Sequence, residues 1–424
     1  MQKKEIIILL TLALVQFTHI LDGMIMMPMA PNLKLAFDID SQQFSYLVAS
    51  YGIAAFVSAI GATFWMDRFD RKKVLFALYI GFLAGTFACA SAPTYGFLLA
   101  ARVFTGLFGG VAGAVILSIV GDVVPLERRA QGMGILMSGF ALASVAGIPL
   151  GIYLSEIYSW HTPFYFICGM GLIVIFAIAF IIPPINSHLQ NVQKRSAFHL
   201  YTSVFSNSNQ VRALMLSVTM IFAHFAIIPY ITDYFVNNLG FKMKGQIIYM
   251  YVVGGILSTF TSPLFGKLAD KFGRFRIYSI LSVLAIIPIY MISNFNSQSL
   301  AALLGTAAMF FMFSGGRMIP SSAMVTSAVA PQQRGGFMSL NSAMQQLAMG
   351  LATLIGGLII FNDEQKRLFN YPILGYIGIA FTIIAILIAR GVKPVEYFAK
   401  PEDTDIAVQN TAVEEAPSLK KTIV

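Results

Sequence analysis

Thr63 to Lys73 reads TFWMDRFDRKK, and Gly266 to Arg276 reads GKLADKFGRFR. This is one signature met twice, once in each half of the chain. Each copy is a dense charge cluster between two long apolar runs. Asp67 aligns with Asp270, and Arg71 with Arg274. Thr63 and Asp70 stand where the second copy has Gly266 and Gly273. A second echo follows at nearly the same offset: VVPLERR at Val123 to Arg129, and AVAPQQR at Ala328 to Arg334. Repeated loops in fixed order between membrane-length segments indicate a duplicated bundle. Two similar halves around a central path are a common plan for membrane transporters.

Composition points the same way. The chain is 57% hydrophobic and 11% charged, with a mean hydropathy of +0.75. Soluble proteins average about 25% charged residues. The net charge of +9 does not indicate nucleic acid, because the basic residues sit in short loops beside apolar runs, where they set orientation. Cys89 and Cys168 both fall inside apolar runs, so neither a disulfide framework nor a metal site is expected. Lys3 and Lys4 precede an apolar run, as in a signal peptide. No small-x-small cleavage site follows before His19 and Asp22, so the run reads as an uncleaved first span.

The pattern predicts twelve helical spans: Ile6–Met29, Phe44–Met66, Val74–Ala92, Tyr95–Val120, Gln131–Tyr153, Pro163–Ile182, Val211–Phe235, Gln246–Phe265, Ile277–Ile292, Ser299–Val325, Gly336–Phe361 and Tyr371–Arg390. Lipid-facing backbone must satisfy its own hydrogen bonds, which makes helices the expectation. One set of loops carries Arg68, Arg71, Lys72, Lys73, Arg128, Arg129, Lys194, Arg195, Lys267, Lys271, Arg274, Arg276 and Arg334. The alternate set carries only Lys34, Lys242, Lys244, Lys366 and Arg367. The first set is expected in the cytoplasm, with both termini. The domain reading is a six-helix bundle over 1–185, a polar cytoplasmic loop over 186–209, a second six-helix bundle over 210–391 and a disordered cytoplasmic tail over 392–424.

GKLADKFGR resembles the loop signature of the major facilitator superfamily, Gly-x-x-x-Asp-x-x-Gly-Arg. The first copy is a variant that keeps Asp67 and Arg71 and replaces both glycines. LLAARVFTGLFGG in the fourth span is similar to the family's Arg-x-x-x-Gly pattern, with Arg102 and Gly106 in place. AGIPLG, Ala146 to Gly151, resembles the GxPLG form of sugar- and arabinose-efflux-like permeases. It departs from the drug:proton antiporter pattern, since Ile148 separates Gly147 from Pro149. The resemblance implies an all-α membrane protein of two pseudo-symmetric six-helix bundles in a bacterial inner (plasma) membrane, working as a monomer. It also implies a latch: Asp67 and Arg71 meeting the start of the eleventh span near Gly335, and Asp270 and Arg274 meeting the fifth near Arg129. Gly147 and Pro149 are the expected hinge, because Pro removes a helix hydrogen bond and Gly thins the helix.

A buried ionisable group needs a partner or a task. His19 and Asp22 lie three apart on one face of the first span. Asp22 and Arg102 each fall about 10 Å below the outer surface at about 1.5 Å per residue, so they can pair if their spans are neighbours. Asp22 is the candidate proton carrier, Arg102 its partner and His19 a relay, against the plainer reading of a static packing pair. In the second half, His224 and Arg317 are candidate cavity residues. Arg317 has no acidic partner at its depth, which leaves an anionic or polar substrate or a backbone carbonyl. Asp233, near an outer end, is expected to be solvated. Asn341, Gln345 and Gln346 line the cavity or pin helices. Tyr46 and Tyr249 occupy matching positions, as do Gly52 and Gly255. Met26, with Met24, Met27 and Phe17, would give an adaptable apolar wall or merely pack.

The leading reading is a secondary active transporter that moves a small molecule by alternating access, with proton-coupled efflux of a drug, sugar or metabolite. The alternatives are proton-coupled nutrient uptake, and a receptor or scaffold that transports nothing. No H-E-x-x-H, G-x-S-x-G or P-loop pattern is present. The expected cofactor is none, with the proton gradient as the driving force.

Overall fold

The computed structural model describes residues 3–125, 128–186, 197–330 and 333–395. Among the described residues, twelve helices are long and apolar enough to cross a membrane: Lys3–Ile25, Ser41–Ala62, Arg71–Ala90, Tyr95–Val123, Gln131–Ile157, Thr162–Ile181, Ser208–Asn238, Met243–Phe272, Arg274–Ser293, Leu300–Ser327, Arg334–Ile359 and Tyr371–Arg390. They are called the first to twelfth spans below. The signature loops lie at one end of the bundle, here the signature face; the other end is the opposite face. The tail from 396 onward and residues 187–196 of the central loop lie outside the described residues.

Of the boundaries that differ from the sequence expectation, two do so for clear reasons. The first span stops at Ile25, not Met29. Pro28 follows, and a proline restricts the residue before it and offers no N–H to continue the ladder. The chain turns over Met26–Met29 and starts a short helix, Ala30–Phe37, on the opposite face. The eighth span runs on to Phe272, so GKLADKF is helix and not loop. Its corner is Gly273, at φ +96, a conformation glycine takes without a Cβ clash. The first copy turns the same corner differently. Its helix ends at Ala62, and a 3-10 turn spans Met66–Arg68. Asp70, at φ −57, caps the third span by accepting from the Lys72 and Lys73 amides at 2.8 and 3.2 Å. A carboxylate at a helix N-terminus is favourable through both the hydrogen bonds and the dipole.

Small residues let the spans touch backbone to backbone, as membrane helices commonly do. Within the first half, a Cβ on Gly106 would fall 2.5 Å from the Tyr51 carbonyl, and one on Gly110 would fall 2.3 Å from that of Ala55. Across the halves, a Cβ on Gly52 would lie 2.8 Å from the Gln346 carbonyl, and one on Gly255 3.0 Å from Val145 Cα. Gly52 and Gly255 are matching positions. The second span crosses the eleventh, and its counterpart the eighth crosses the fifth. The sequence echo thus marks the two places where one half rests on the other. Within the polar joining segment, Ala197–Ser206 is helical. Its Tyr201 hydroxyl donates to Thr63 Oγ1 at 2.7 Å, which ties the joint to the end of the second span.

Gly110→Val is expected to overpack the second–fourth crossing at a cost of about 1–3 kcal/mol. A Cβ at Gly61 has nothing within 4 Å, so Gly61→Val is the matched control. Melting in detergent should show a drop of a few degrees for the first and no change for the second.

Candidate functional site

Two buried charge systems stand out, one inside the first half and one between the halves. In the first, Arg102 of the fourth span holds Asp22 of the first, with Nη1 to Oδ2 at 2.9 Å and both side chains at 1% exposure or less. Thr86 of the third span donates to the other carboxylate oxygen at 3.1 Å. The Arg102 guanidinium lies 4.5 Å over the Tyr51 ring of the second span, a cation–π contact. The Tyr51 hydroxyl meets His19 Nε2 at 3.0 Å, while His19 Nδ1 is buried without a partner. Asp22, His19 and Arg102 are therefore brought together as the sequence suggested. Thr86 and Tyr51 were missed, because a threonine or tyrosine in an apolar run gives no signal of its own. Every member of this cluster belongs to the first half.

The second system crosses the halves on the opposite face. Lys34 of the short helix Ala30–Phe37 donates to Asp233 of the seventh span at 2.7 Å, each side chain 1% exposed. Lys34 also donates to Ser41 at 3.0 Å, and Asn237 donates to the second Asp233 oxygen at 2.6 Å. Around it, the Ser41 amide donates to Asn362 Oδ1 at 2.8 Å. Lys366 donates to Asp38 at 2.9 Å and to the Lys34 carbonyl at 3.4 Å. The expectation that Asp233 is solvated is corrected: it is fully buried. Its position near a span end hid a partner that only folding supplies. The signal was a pair of opposite charges, Lys34 and Asp233, at the same end of the bundle in different halves. The exposed Asp38 carboxyl is held below the usual carboxylate range, first by its hydrogen bond to Lys366 and then by that charge. A carboxylate with a lowered value contributes above its ordinary pKa and is lost only in acid. The Asp38–Lys366 bond therefore persists from about pH 5 to 8.

On the signature face the expected latch is not made between described residues. Arg71 pairs with Asp122 of its own half, and its amide donates to the Ile185 carbonyl at 3.1 Å. Arg274 donates to the Ala323 carbonyl at 3.3 Å, again within its half. Asp270 is exposed. The side chains of Asp67 and Arg129 lie outside the described residues. The halves are tied together at the opposite face by the Lys34–Asp233 pair, and Arg71 and Arg274 each contact a neighbour in their own bundle.

The remaining candidates scatter. The fifth span carries a π-helical turn over Ala143–Gly147 just before Ile148 and Pro149. A Cβ on Gly147 would lie 3.0 Å from Leu21 of the first span, so this is a bulge pressed against the helix that carries Asp22. Met26 is fully buried and packs in the apolar core near the opposite face. Tyr249 is 54% exposed, while Tyr46 is half-buried and accepts from Gln42 at 2.7 Å. Asn341 is buried with Oδ1 unpartnered, and Gln345 is half-buried one turn on. His224 stacks parallel on Phe310, with centroids 5.7 Å apart. Arg317 is buried and is taken up below. Among the described residues no group of His, Cys, Asp and Glu could hold a metal ion.

Removing one partner of a buried pair strands the other charge, at about 3–5 kcal/mol. Asp233→Asn is therefore expected to loosen the opposite face. In a background without Cys89 and Cys168, Ser41→Cys should react with an impermeant maleimide about tenfold faster or more when Asp233→Asn is added. An apolar double replacement, Lys34→Met with Asp233→Leu, should bring the rate back down.

The sequence profile described as Major Facilitator Superfamily matches residues 12–292 and 244–422, two overlapping stretches. An uncharacterized MFS-type transporter of Bacillus subtilis (strain 168), YceJ, is 26% identical over 351 residues, covering 81% of this chain and 87% of the relative. A second from the same organism, YwfA, is 24% identical over 377 residues, 87% of each chain. A D-xylose–proton symporter superposes with a TM-score of 0.74 at 16% identity, over 92% of this chain and 98% of that one. A bacterial homolog of the human lysosomal transporter Spinster, in an inward-facing, unoccupied conformation, gives 0.72 at 16% identity over the same shares. With twelve spans, matching helix crossings in its two halves and a profile match along nearly its whole length, the chain belongs to the Major Facilitator Superfamily of membrane transporters.

Proposed function

We propose that this transporter exports a small molecule in exchange for protons, with Asp22 loading and unloading the proton. The observation that carries the reading is the Asp22 carboxylate, fully buried and held by Arg102 and Thr86. A carboxylate at such depth is costly unless it pairs or works. Protonation removes its charge and leaves Arg102 with the Tyr51 ring against its face and the Asp22 carbonyl at 3.5 Å. Tyr51 is followed in sequence by Gly52, the point where the second span rests on the eleventh. A change at Asp22 thus has a short mechanical route to the contact between halves: Arg102, then Tyr51, then the second span. His19 joins that route through its bond to Tyr51.

Export is favoured by the likeness of AGIPLG to efflux permeases, and the Gly147–Pro149 bulge sits directly on the first span. The signature face is the cytoplasmic one, since it carries most of the loop lysines and arginines, and both termini lie there. The protein acts as a monomer in the plasma membrane and needs no cofactor besides the proton gradient. Alternating access then exchanges the opposite-face lock for the signature-face latch of Asp67, Arg71, Asp270 and Arg274. Substrate would sit between the halves near Asn341, Gln345 and Tyr46.

The test is transport in proteoliposomes with an imposed pH gradient, against a panel of sugars, amphipathic cations and antibiotics. Wild type should move a member of the panel opposite to the proton flow. Asp22→Asn should abolish gradient-driven transport while keeping substrate exchange. Full gradient-driven activity in Asp22→Asn would remove the proton role. Movement of substrate along with the proton flow would reverse the assigned direction.

A further inference from the structure

The two halves treat their buried arginines differently. Arg102 has a carboxylate. Arg317 has none: its side chain is 1% exposed, and no described Asp or Glu pairs with it. A guanidinium stays charged at any pH a cell reaches. Arg317 sits where the tenth span breaks, between helices Leu300–Gly316 and Met318–Ser327, with Pro320 just beyond.

One arm is placed. Nη1 donates to Thr382 Oγ1 of the twelfth span at 2.9 Å. That hydroxyl spends its own proton on the Gly378 carbonyl at 2.8 Å, so it offers the arginine a lone pair only. The other edge, Nε and Nη2, has no acceptor. This edge is the two-pronged side of the fork that clasps a carboxylate.

The other buried polar groups on this and the ninth span are hydroxyls, which can donate to an anion. Ser314 and Ser321 lie three before and four after Arg317, on its face of the span. Both hydroxyls are buried without a partner. Tyr278 and Ser282, one turn apart on the ninth span, are likewise buried, and their hydroxyls lie within reach of each other with no other partner among the described residues. Tyr278 lies within electrostatic reach of the guanidinium. Counted from the signature-face ends of their spans at about 1.5 Å per residue, Tyr278, Ser321, Thr382 and Arg317 lie about 6, 9, 12 and 15 Å in, and Ser282 and Ser314 about 12 and 20 Å. His224, with an unpartnered Nδ1, lies within electrostatic reach of the charge.

A buried positive charge that pairs with no described acid, with buried hydroxyls on its own span and on the ninth, is a site for negative charge. Water could satisfy the hydroxyls, but it would leave the guanidinium uncompensated. We infer that the second half holds a small monovalent anion, a halide or a carboxylate group, on the free edge of Arg317 with the Tyr278, Ser282, Ser314 and Ser321 hydroxyls as its further donors. The inference does not rest on the proton role of Asp22 or on the direction of transport. The same chemistry fits an anion resident in the fold and an anionic group on a carried substrate.

The test uses the full chain purified in detergent in a chloride-free buffer. Chloride is added and its NMR line width is followed, then sodium formate is titrated in as a competitor. Wild type is expected to broaden the chloride line, and formate to reverse the broadening. Ser282→Ala and Thr382→Val, which keep the charge, should weaken binding about tenfold or less. Arg317→Gln should abolish the effect, with melting curves confirming that it is folded. A folded wild type that gives no formate-competed broadening would overturn the site, as would full broadening in folded Arg317→Gln. In proteoliposomes, labelled formate or chloride flux that Arg317→Gln abolishes identifies a carried anion. Binding without flux identifies a resident one.

Discussion

A charge inside a bilayer has to be answered by another group, and that constraint organises this molecule. Asp22 is answered by Arg102 within one bundle. Asp233 is answered by Lys34 across the two bundles. The difference in location matters more than the similarity in chemistry. A pair inside a bundle fixes that bundle's packing whatever the other half does. A pair between bundles exists only while the two are drawn together at that face, so it stabilises one conformation over another. The first kind suits a group that senses a proton. The second suits a lock.

Glycine supplies the complementary device. Backbone-to-backbone crossings need a missing Cβ, and Gly52 and Gly255 mark the two crossings between halves. They are related by the same duplication that produced the paired signatures. Closure at the opposite face therefore combines two interactions of different range. The helix crossings are short-ranged and shape-specific, while the Lys34–Asp233 pair and the Lys366–Asp38 bond are polar, the first buried and the second exposed. On the signature face, Arg71 contacts Asp122 and Arg274 contacts Ala323, each within its own half.

Much of the fold was legible because its signals are local. Apolar length gave the twelve spans, and the repeated charge clusters gave the duplication. Depth counting along helices placed Asp22 level with Arg102. Span ends were less legible: Pro28 stops the first span early, and GKLADKF continues the eighth as helix because Gly273 supplies the turn. The buried ion pairs were legible only where both partners lie deep in apolar runs. Lys34 and Asp233 looked like ordinary surface charges, since burial at the joint between halves is a property of the assembled pair and of neither segment. The latch expected of Asp270 and Arg274 depends on which way the halves lean, and a sequence does not encode one lean. Met26 shows the reverse limit, because a methionine in a span packs or lines a path according to a helix rotation that composition does not reveal.

The central claim is that the two halves tilt against each other, held at the opposite face by the Lys34–Asp233 pair. Its most direct test is a pulsed-EPR distance measurement on two doubly labelled forms. One carries labels at the exposed positions Leu35 and Glu364 of the opposite face, the other at the exposed Arg68 and Lys271 of the signature face. Adding Asp233→Asn should lengthen the first distance and shorten the second. Distances that both stay fixed, or that lengthen together, would contradict the account.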